Sequence, residues 1–177
     1  TYCVTAVDCR NGTEDPMVNG TLQAKESGQN LNSNNVCRVG KVVRRLTPLE
    51  CERLQGYPDN WTLLGELTGY TTWKDEDGNE YPDAVYEYVG ADGKKHKTSD
   101  TARYKALGNS IALPFWFWLL RRISAGYERP ATLGSLFDGI GGFPLCWERC
   151  NGEGTAIWAS EIEEFPIAVT TFHFPEH

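Results

Sequence analysis

One stretch constrains this chain more than any other: Ser135-Leu136-Phe137-Asp138-Gly139-Ile140-Gly141-Gly142-Phe143. A short apolar run breaks at closely spaced glycines and passes into helix-compatible sequence. Glycine lets a backbone come close to a ligand, and the first amides of a helix suit a negatively charged group, so the pattern reads as a nucleotide or nucleotide-like cofactor loop. A strand-turn-helix corner that binds nothing also needs glycine for steric reasons. Both readings stand until the surrounding sequence is added.

From Thr132 onward the sequence takes on a βαβ rhythm: a strand over 132–137, the glycine turn, a helix over 143–150 stopped by Asn151-Gly152, and a strand over 155–160. Glu161 follows, and a final helix over 163–172 places Phe165, Val169 and Phe172 on one face, with Pro166 in its first turn. An acidic residue closing the second strand, about 20 positions after a glycine loop, is where a ribose is held. The third glycine of a dinucleotide G-x-G-x-x-G would fall on Pro144, which disfavours that type of helix packing without excluding it. S-adenosylmethionine, with a ribose and no pyrophosphate, fits better.

Upstream, Thr47 as N-cap, Pro48 at the first helical position and Glu50 at the third form a capping box. Gly56 closes that helix and Pro58 prevents its resumption. Leu46, Leu49, Cys51, Leu54 and Tyr57 are the expected buried face. Turn signals at 75–79 and 91–94 flank 83–89 and predict one or two exposed hairpins between 66 and 100. In the next segment Asn109 or Ser110 is a candidate helix cap, and Pro114 must lie in a first turn. The run 111–123 is apolar on every side and should be buried or covered by a partner. Residues 1–40 open with strand-like alternation over 2–7 and become rich in Asn, Gly and Ser. Short strands at 20–24 and 35–39 are possible within them.

With 177 residues, the chain suffices for one ordinary domain. A net charge of −7 argues against a surface that grips nucleic acid throughout, while basic clusters at 38–45, 94–97 and 121–122 allow a local basic face. Six cysteines, at 3, 9, 37, 51, 146 and 150, show no CxxC pair. They read as reduced core residues in a cytoplasmic protein with no metal site. The longest apolar run is half of a membrane span, and no signal peptide opens the chain. Thr1 at one end and an unfinished 172–177 at the other suggest part of a longer protein.

Three motifs converge on one family: the chain resembles the DNA (cytosine-5) methyltransferases. Phe137-Asp138-Gly139-Ile140-Gly141-Gly142-Phe143 is similar to their first motif, the S-adenosylmethionine loop, and Glu161 sits where their ribose-binding acid sits. Arg45-Leu46-Thr47-Pro48 through Glu50, with Arg53-Leu54-Gln55-Gly56-Tyr57-Pro58, resembles the ninth motif. Tyr104-Lys105-Ala106-Leu107-Gly108-Asn109-Ser110 resembles the tenth, which walls the cofactor pocket. The resemblance implies an α/β chain, a partial Rossmann-like S-adenosylmethionine-dependent methyltransferase fold with an irregular β-rich target-recognition remnant. Its implied parts are a target-recognition tail (1–43), the ninth-motif helix (44–64), a β-hairpin insertion (65–101), the tenth-motif helix (102–123), a connector (124–132) and the start of the cofactor domain (133–177).

By the same resemblance Phe137 contacts the adenine and the amides of 139–142, in the segment with Asp138, Gly139, Ile140, Gly141 and Gly142, face the methionine portion. Glu161, with Ile162 beside it, takes the ribose hydroxyls, and Asn109 and Ser110 line the methionine end. Arg38, Lys41, Arg44, Arg45 and the Asn-rich loop 29–35 are the candidate contacts to double-stranded DNA.

The motif order departs from the usual one, since the ninth and tenth precede the first. A circular permutation through a short connector, or a fusion of two methyltransferases, would explain it. Family members attack carbon 6 of a flipped cytosine with the cysteine of a Pro-Cys motif, and use Glu-Asn-Val and Gln-x-Arg-x-Arg segments. None of these stands in this sequence, so no catalytic residue is assigned and the chain alone is expected to be inactive. The function implied is part of a bacterial or phage restriction-modification type enzyme. A non-catalytic subunit that complements a separately encoded half is the alternative, and a nucleotide-dependent oxidoreductase a third.

Overall fold

A computed structural model of the chain describes residues 4–8, 13–15, 36–39, 42–74, 77–129 and 131–175, with side chains described from Arg44 onward. The elements run β1 (Val4–Asp8), β2 (Thr13–Asp15), β3 (Val36–Val39), β4 (Val42–Arg45), α1 (Pro48–Gln55), β5 (Glu66–Lys74), β6 (Glu80–Val89), β7 (Lys95–Lys97), α2 (Asp100–Gly108), α3 (Leu113–Ser124), β8 (Leu133–Leu136), α4 (Gly142–Asn151), β9 (Ala156–Ser160) and α5 (Glu164–His173). They form a mixed α/β structure. The antiparallel strands order as β2-β1-β3-β4 and β5-β6-β7, whereas β8 and β9 pair in parallel around α4. Of the short strands expected near the N-terminus, the one at 36–39 is present and the one at 20–24 lies outside the described residues. No helix of the described residues is long and apolar enough to cross a membrane.

Helix α1 is bounded as its sequence demands. The Thr47 hydroxyl accepts from the Glu50 amide, the Glu50 carboxylate accepts from the Thr47 amide, and Gly56 closes the helix in the left-handed region at φ 82°. The buried face differs from the expected one. Leu46, Cys51 and Tyr57 are buried, but Leu54 is exposed, and Glu52 and Gln55 take the core positions. The reason is polar. The Glu52 carboxylate, fully shielded from solvent, accepts from the Asn60 amide (2.8 Å), the Thr62 amide (2.9 Å), the Thr62 hydroxyl (2.5 Å) and the Arg103 guanidinium (3.2 Å). Gln55 Nε2 donates to the Leu107 carbonyl at 2.7 Å.

The single helix expected over 102–123 is two helices. Asn109 does not start the second helix; it closes α2, and Ala112 stands at the N-cap of α3 without a side-chain cap. Pro114 enforces the break, because it has no amide proton to donate to the carbonyl of Ser110 and its ring would clash with that carbonyl in a continuous helix. It occupies the first turn of α3, as expected. That helix is not enclosed: Leu113 and Leu120 are buried, while Phe115, Trp118 and Ile123 face outward. The Arg122 guanidinium lies 3.6 Å above the Trp118 ring and covers part of that face.

One hydrophobic core draws on three separated stretches of sequence: Leu46, Tyr57, Trp61 and Leu64; Leu107, Leu113 and Leu120; Ile140, Trp147, Val169 and Phe174. Residues on both sides of the 125–132 connection therefore share one interior.

Two stability predictions follow from α1. Glu52→Gln should lower unfolding free energy by about 2–4 kcal/mol, because it leaves Arg103 buried with only the more distant Asp100 carboxylate at 3.4 Å to balance it; chemical denaturation checks it. Arg44 pairs with Glu50 through two hydrogen bonds of 2.8 and 2.7 Å, and that pairing holds the Glu50 carboxyl at about 2, below its ordinary 4.5. A depressed folded pKa contributes stability above the unfolded value and loses it as pH falls through the folded one. Glu50→Gln retains the cap geometry, so the stability difference between wild type and variant should be present above pH 4.5 and vanish by about pH 2.

Candidate functional site

The glycine loop sits between the C-terminal end of β8 and the start of α4, beside the C-terminal end of β9. In open parallel sheets, ligands bind outside those strand ends. Strand β8 stops at Leu136, one residue short of the expected strand, because Phe137 adopts φ +53°. A non-glycine residue in that region carries strain of about 1–3 kcal/mol. Its ring is 77% exposed, so side-chain packing among the described residues does not hold that conformation; the Asp138 amide bonded to the Ser160 carbonyl at 3.0 Å does. Asp138 is buried and accepts from the Ser135 hydroxyl at 2.5 Å.

The three glycines have different tasks. At Gly139 (φ +59°) an added Cβ would meet no atom within 4 Å, so its outer side is open. A Cβ at Gly141 would lie 2.9 Å from the Phe174 ring, and one at Gly142 would lie 2.5 Å from the Tyr57 hydroxyl and 2.9 Å from Ile111. Close approach at Gly141 and Gly142 is thus to the protein's own side chains. The expectation that the loop amides face a ligand needs correction at two of them. The Gly139 amide donates to Glu161 Oε2 at 2.7 Å, and the Gly141 amide donates to the Asp138 carbonyl at 3.2 Å.

Glu161 is fixed by those and further bonds. Its other oxygen, Oε1, accepts from the amides of Ile162 (2.7 Å) and Glu163 (3.2 Å). Partial burial pushes its carboxyl upward, but the three backbone donors outweigh burial and hold it below the ordinary carboxylate value. The result is an ionised carboxylate with fixed direction next to the open side of Gly139. Ile162, 83% exposed, stands beside it.

Ser110 reaches this region indirectly. Its hydroxyl pairs with the Tyr57 hydroxyl at 2.5 Å, and that hydroxyl in turn abuts Gly142. Asn109, exposed at the end of α2, makes its turn one residue earlier. Sequence reasoning missed Trp61 and His173. The Trp61 indole donates to the Ile140 carbonyl at 2.7 Å, and its ring stacks on His173 with centroids 3.5 Å apart and planes at 1°. His173 Nε2 donates back to the Trp61 carbonyl at 2.8 Å. Nothing local in the sequence marks these contacts, which span 79 and 112 positions.

Of the candidate DNA-contacting residues, Arg38 is on β3 and Arg44 and Arg45 are on β4. Arg44 is bound to Glu50, and the Arg45 guanidinium lies over the Tyr104 ring at 5.6 Å. Arg38 opposes Val43 in the β3–β4 ladder. Lys41 and the loop 29–35 lie outside the described residues. Burial raises the described thiols, Cys51 up to about 12, Cys146 to about 11 and Cys150, less deeply buried, in the same direction, which disfavours the thiolate.

One family model covers the first half of the chain. Residues 6–92, which include α1 and the β5–β6 hairpin and end before the glycine loop, match the family model of C-5 cytosine-specific DNA methylase. A DNA N-6-adenine-methyltransferase of Escherichia phage P1 is 44% identical over 86 residues, 47% of this chain and 11% of that protein. The Type II methyltransferase M.Sau3AI of Staphylococcus aureus is 50% identical over 42 residues, 24% of this chain and 10% of that protein. The chain therefore matches about a tenth of the length of each of these relatives. Over residues 6–92, just under half of its length, the chain is therefore similar to the C-5 cytosine-specific DNA methylase family.

Proposed function

We propose that this chain is a cofactor-holding and DNA-reading part of a DNA (cytosine-5) methyltransferase, of restriction-modification type, and that its glycine loop binds S-adenosylmethionine. The observation that carries this reading is the pairing of an ionised, backbone-fixed Glu161 with the open side of Gly139 at the end of a parallel βαβ unit. The residues fit an adenosine. Glu161 accepts the two ribose hydroxyls, exposed Phe137 supplies a ring face for the adenine, and Ile162 packs on the other side. Asp138 and the 139–142 turn support the methionine end, where Ser110 and Asn109 form the far wall. When bound, the cofactor supplies an electrophilic methyl group on a sulfonium.

Arg38, Lys41, Arg44 and Arg45 are the proposed DNA phosphate contacts of the target-recognition part. Arg45 is the readiest of the described pair, because Arg44 is engaged with Glu50. Binding of this kind weakens steeply with salt. The family's nucleophile is a cysteine thiolate. The described thiols, all protonated, do not fill that role, so methyl transfer requires a segment supplying the cysteine. A permuted order of motifs is the preferred account of the sequence, because the stretches before and after the 125–132 connection share one core.

Two observations favour variant readings. The parallel sheet has two strands among the described residues, and Leu136, Ile157 and the outer face of α3 are exposed beside it. A parallel sheet is stable when both faces are covered, which suits a split enzyme whose other half completes the sheet. The similarity to a relative named as an N-6-adenine-methyltransferase favours adenine as a second candidate base.

Phe137→Ala and Glu161→Ala should each weaken S-adenosylmethionine binding at least about tenfold, as read by calorimetry on the complete protein. Phe137→Ala should leave thermal stability unchanged, since the ring is exposed and alanine carries the same strain at positive φ. Unaltered affinity in Glu161→Ala would overturn the assignment. Mixing this chain with a polypeptide carrying the Pro-Cys segment, followed by mass analysis of hydrolysed DNA, identifies the reaction: 5-methylcytosine is expected, N6-methyladenine would select the second base, and no methylation at any ratio would count against the split enzyme.

A further inference from the structure

The hairpin of β6 and β7 reaches the first turn of α5. There His96 Nε2 faces two carboxylates at once, Asp92 Oδ1 at 2.9 Å and Glu164 Oε1 at 3.2 Å, and all three ligand atoms lie within 4.8 Å of one another. We propose that Asp92, His96 and Glu164 form a binding site for a zinc-class divalent cation that staples the β6–β7 hairpin to α5.

Geometry and ligand chemistry support this. Zinc bonds to imidazole nitrogen and carboxylate oxygen are about 2.0–2.2 Å long, which puts neighbouring ligand atoms of a tetrahedral site about 3.3 Å apart. The two separations on His96 match that spacing. One imidazole with two carboxylates suits zinc and its neighbours in the transition series, whereas magnesium and calcium prefer all-oxygen sites. The fourth position is left to water on the exposed side.

The local structure is shaped to hold the ring there. The Tyr88 ring stacks on His96 at 5.6 Å, and the Asp92 carboxylate accepts from the Lys94 amide at 2.9 Å, which fixes its direction. Gly90 makes room: an added Cβ would stand 2.8 Å from the imidazole. The Lys94 ammonium, 3.5 Å from the second Asp92 oxygen, is at the rim and swings out without disturbing the fold, since it is 80% exposed.

An occupied site would hold β7 and the preceding turn rigidly to α5, the helix that follows Glu161. The same hairpin and helix border a cavity of about 500 Å³ lined by Tyr88, Val89, Ile167, Ala168 and Phe172, so the staple sets the width of that cleft. This inference is independent of methyl transfer.

The test is calorimetric titration of zinc chloride into EDTA-treated, desalted chain, with thermal melts in parallel. One saturable site and a raised melting temperature are expected, and magnesium chloride should produce neither. His96→Gln and Glu164→Gln, each verified as folded by circular dichroism, should weaken zinc binding at least about tenfold. Substitution by Co²⁺ should give the visible absorption of a tetrahedral site in the wild-type chain and lose it in His96→Gln. The absence of saturable zinc binding up to about 1 mM, or equal binding by His96→Gln, overturns the proposal and leaves the cluster as an ion pair alone.

Discussion

The structure depends first on the burial of Glu52. A carboxylate with no exposure to water costs several kcal/mol unless it is paired and fully hydrogen-bonded, and four donors from two other segments meet that demand. The loop after α1 has to fold back so that the amides of Asn60 and Thr62 point at α1, and α2 must present Arg103 from the other side. Arg103 is itself held by the Thr62 hydroxyl at 2.9 Å, so the three segments lock together rather than in pairs. Nearby polar contacts share the same logic: Tyr104 donates to the Leu46 carbonyl, and Gln55 donates to that of Leu107.

Once that loop is fixed, Trp61 is fixed, and through it the glycine loop. The indole hydrogen bond to Ile140 and the stack on His173 reach from the first half of the chain to both the turn and the last helix. Ile140 is wholly buried between two turn residues in left-handed backbone. The loop is therefore held from its inner side by upstream residues, while Phe137 and the open side of Gly139 are left facing outward. A loop packed inward in this way maintains a strained Phe137, because relaxation of one residue would disturb a core built from distant segments. Burial of His173 lowers its pKa and keeps it neutral, which preserves both the stack and the bond to the Trp61 carbonyl near pH 7.

What was legible in the sequence was what is local. The capping box of α1, the hairpins between 66 and 100, and the βαβ order around α4 are each set by residues within a few positions, and the element boundaries follow those signals closely. The acid at 161 was also legible, because its distance along the chain from the glycines is itself the pattern. The face of α1 was not. Apolar periodicity selected Leu54, but a charge paired across 51 positions won the buried position, and no sequence window contains both partners. The break within 100–124 was legible in Pro114, but the cap expected at Asn109 or Ser110 is at Ala112, and Asn109 instead closes the preceding helix. The hand-off from Ser110 through Tyr57 to Gly142 is likewise a long-range contact, without which Ser110 and the loop look unrelated.

Glycine spacing alone is an ambiguous signal, since three glycines in one turn served two purposes. Gly141 and Gly142 are small because aromatic side chains from other segments press against them, a reason that holds with or without a ligand. Gly139 is different, because neither packing nor a clash restricts it, and its φ of +59° is one that a β-branched or bulky residue resists. Two residues before it, Phe137 adopts the same unfavourable region with its ring in solvent. The strained aromatic, the unobstructed glycine and the carboxylate bonded to that glycine's amide all stand at the outer rim of the loop. Each can be removed without opening the core, which makes the outer rim of the loop separable from the scaffold that supports it. That separation is what permits a binding role to be tested at Phe137 and Glu161 while Trp61, Tyr57 and Glu52 keep the fold intact.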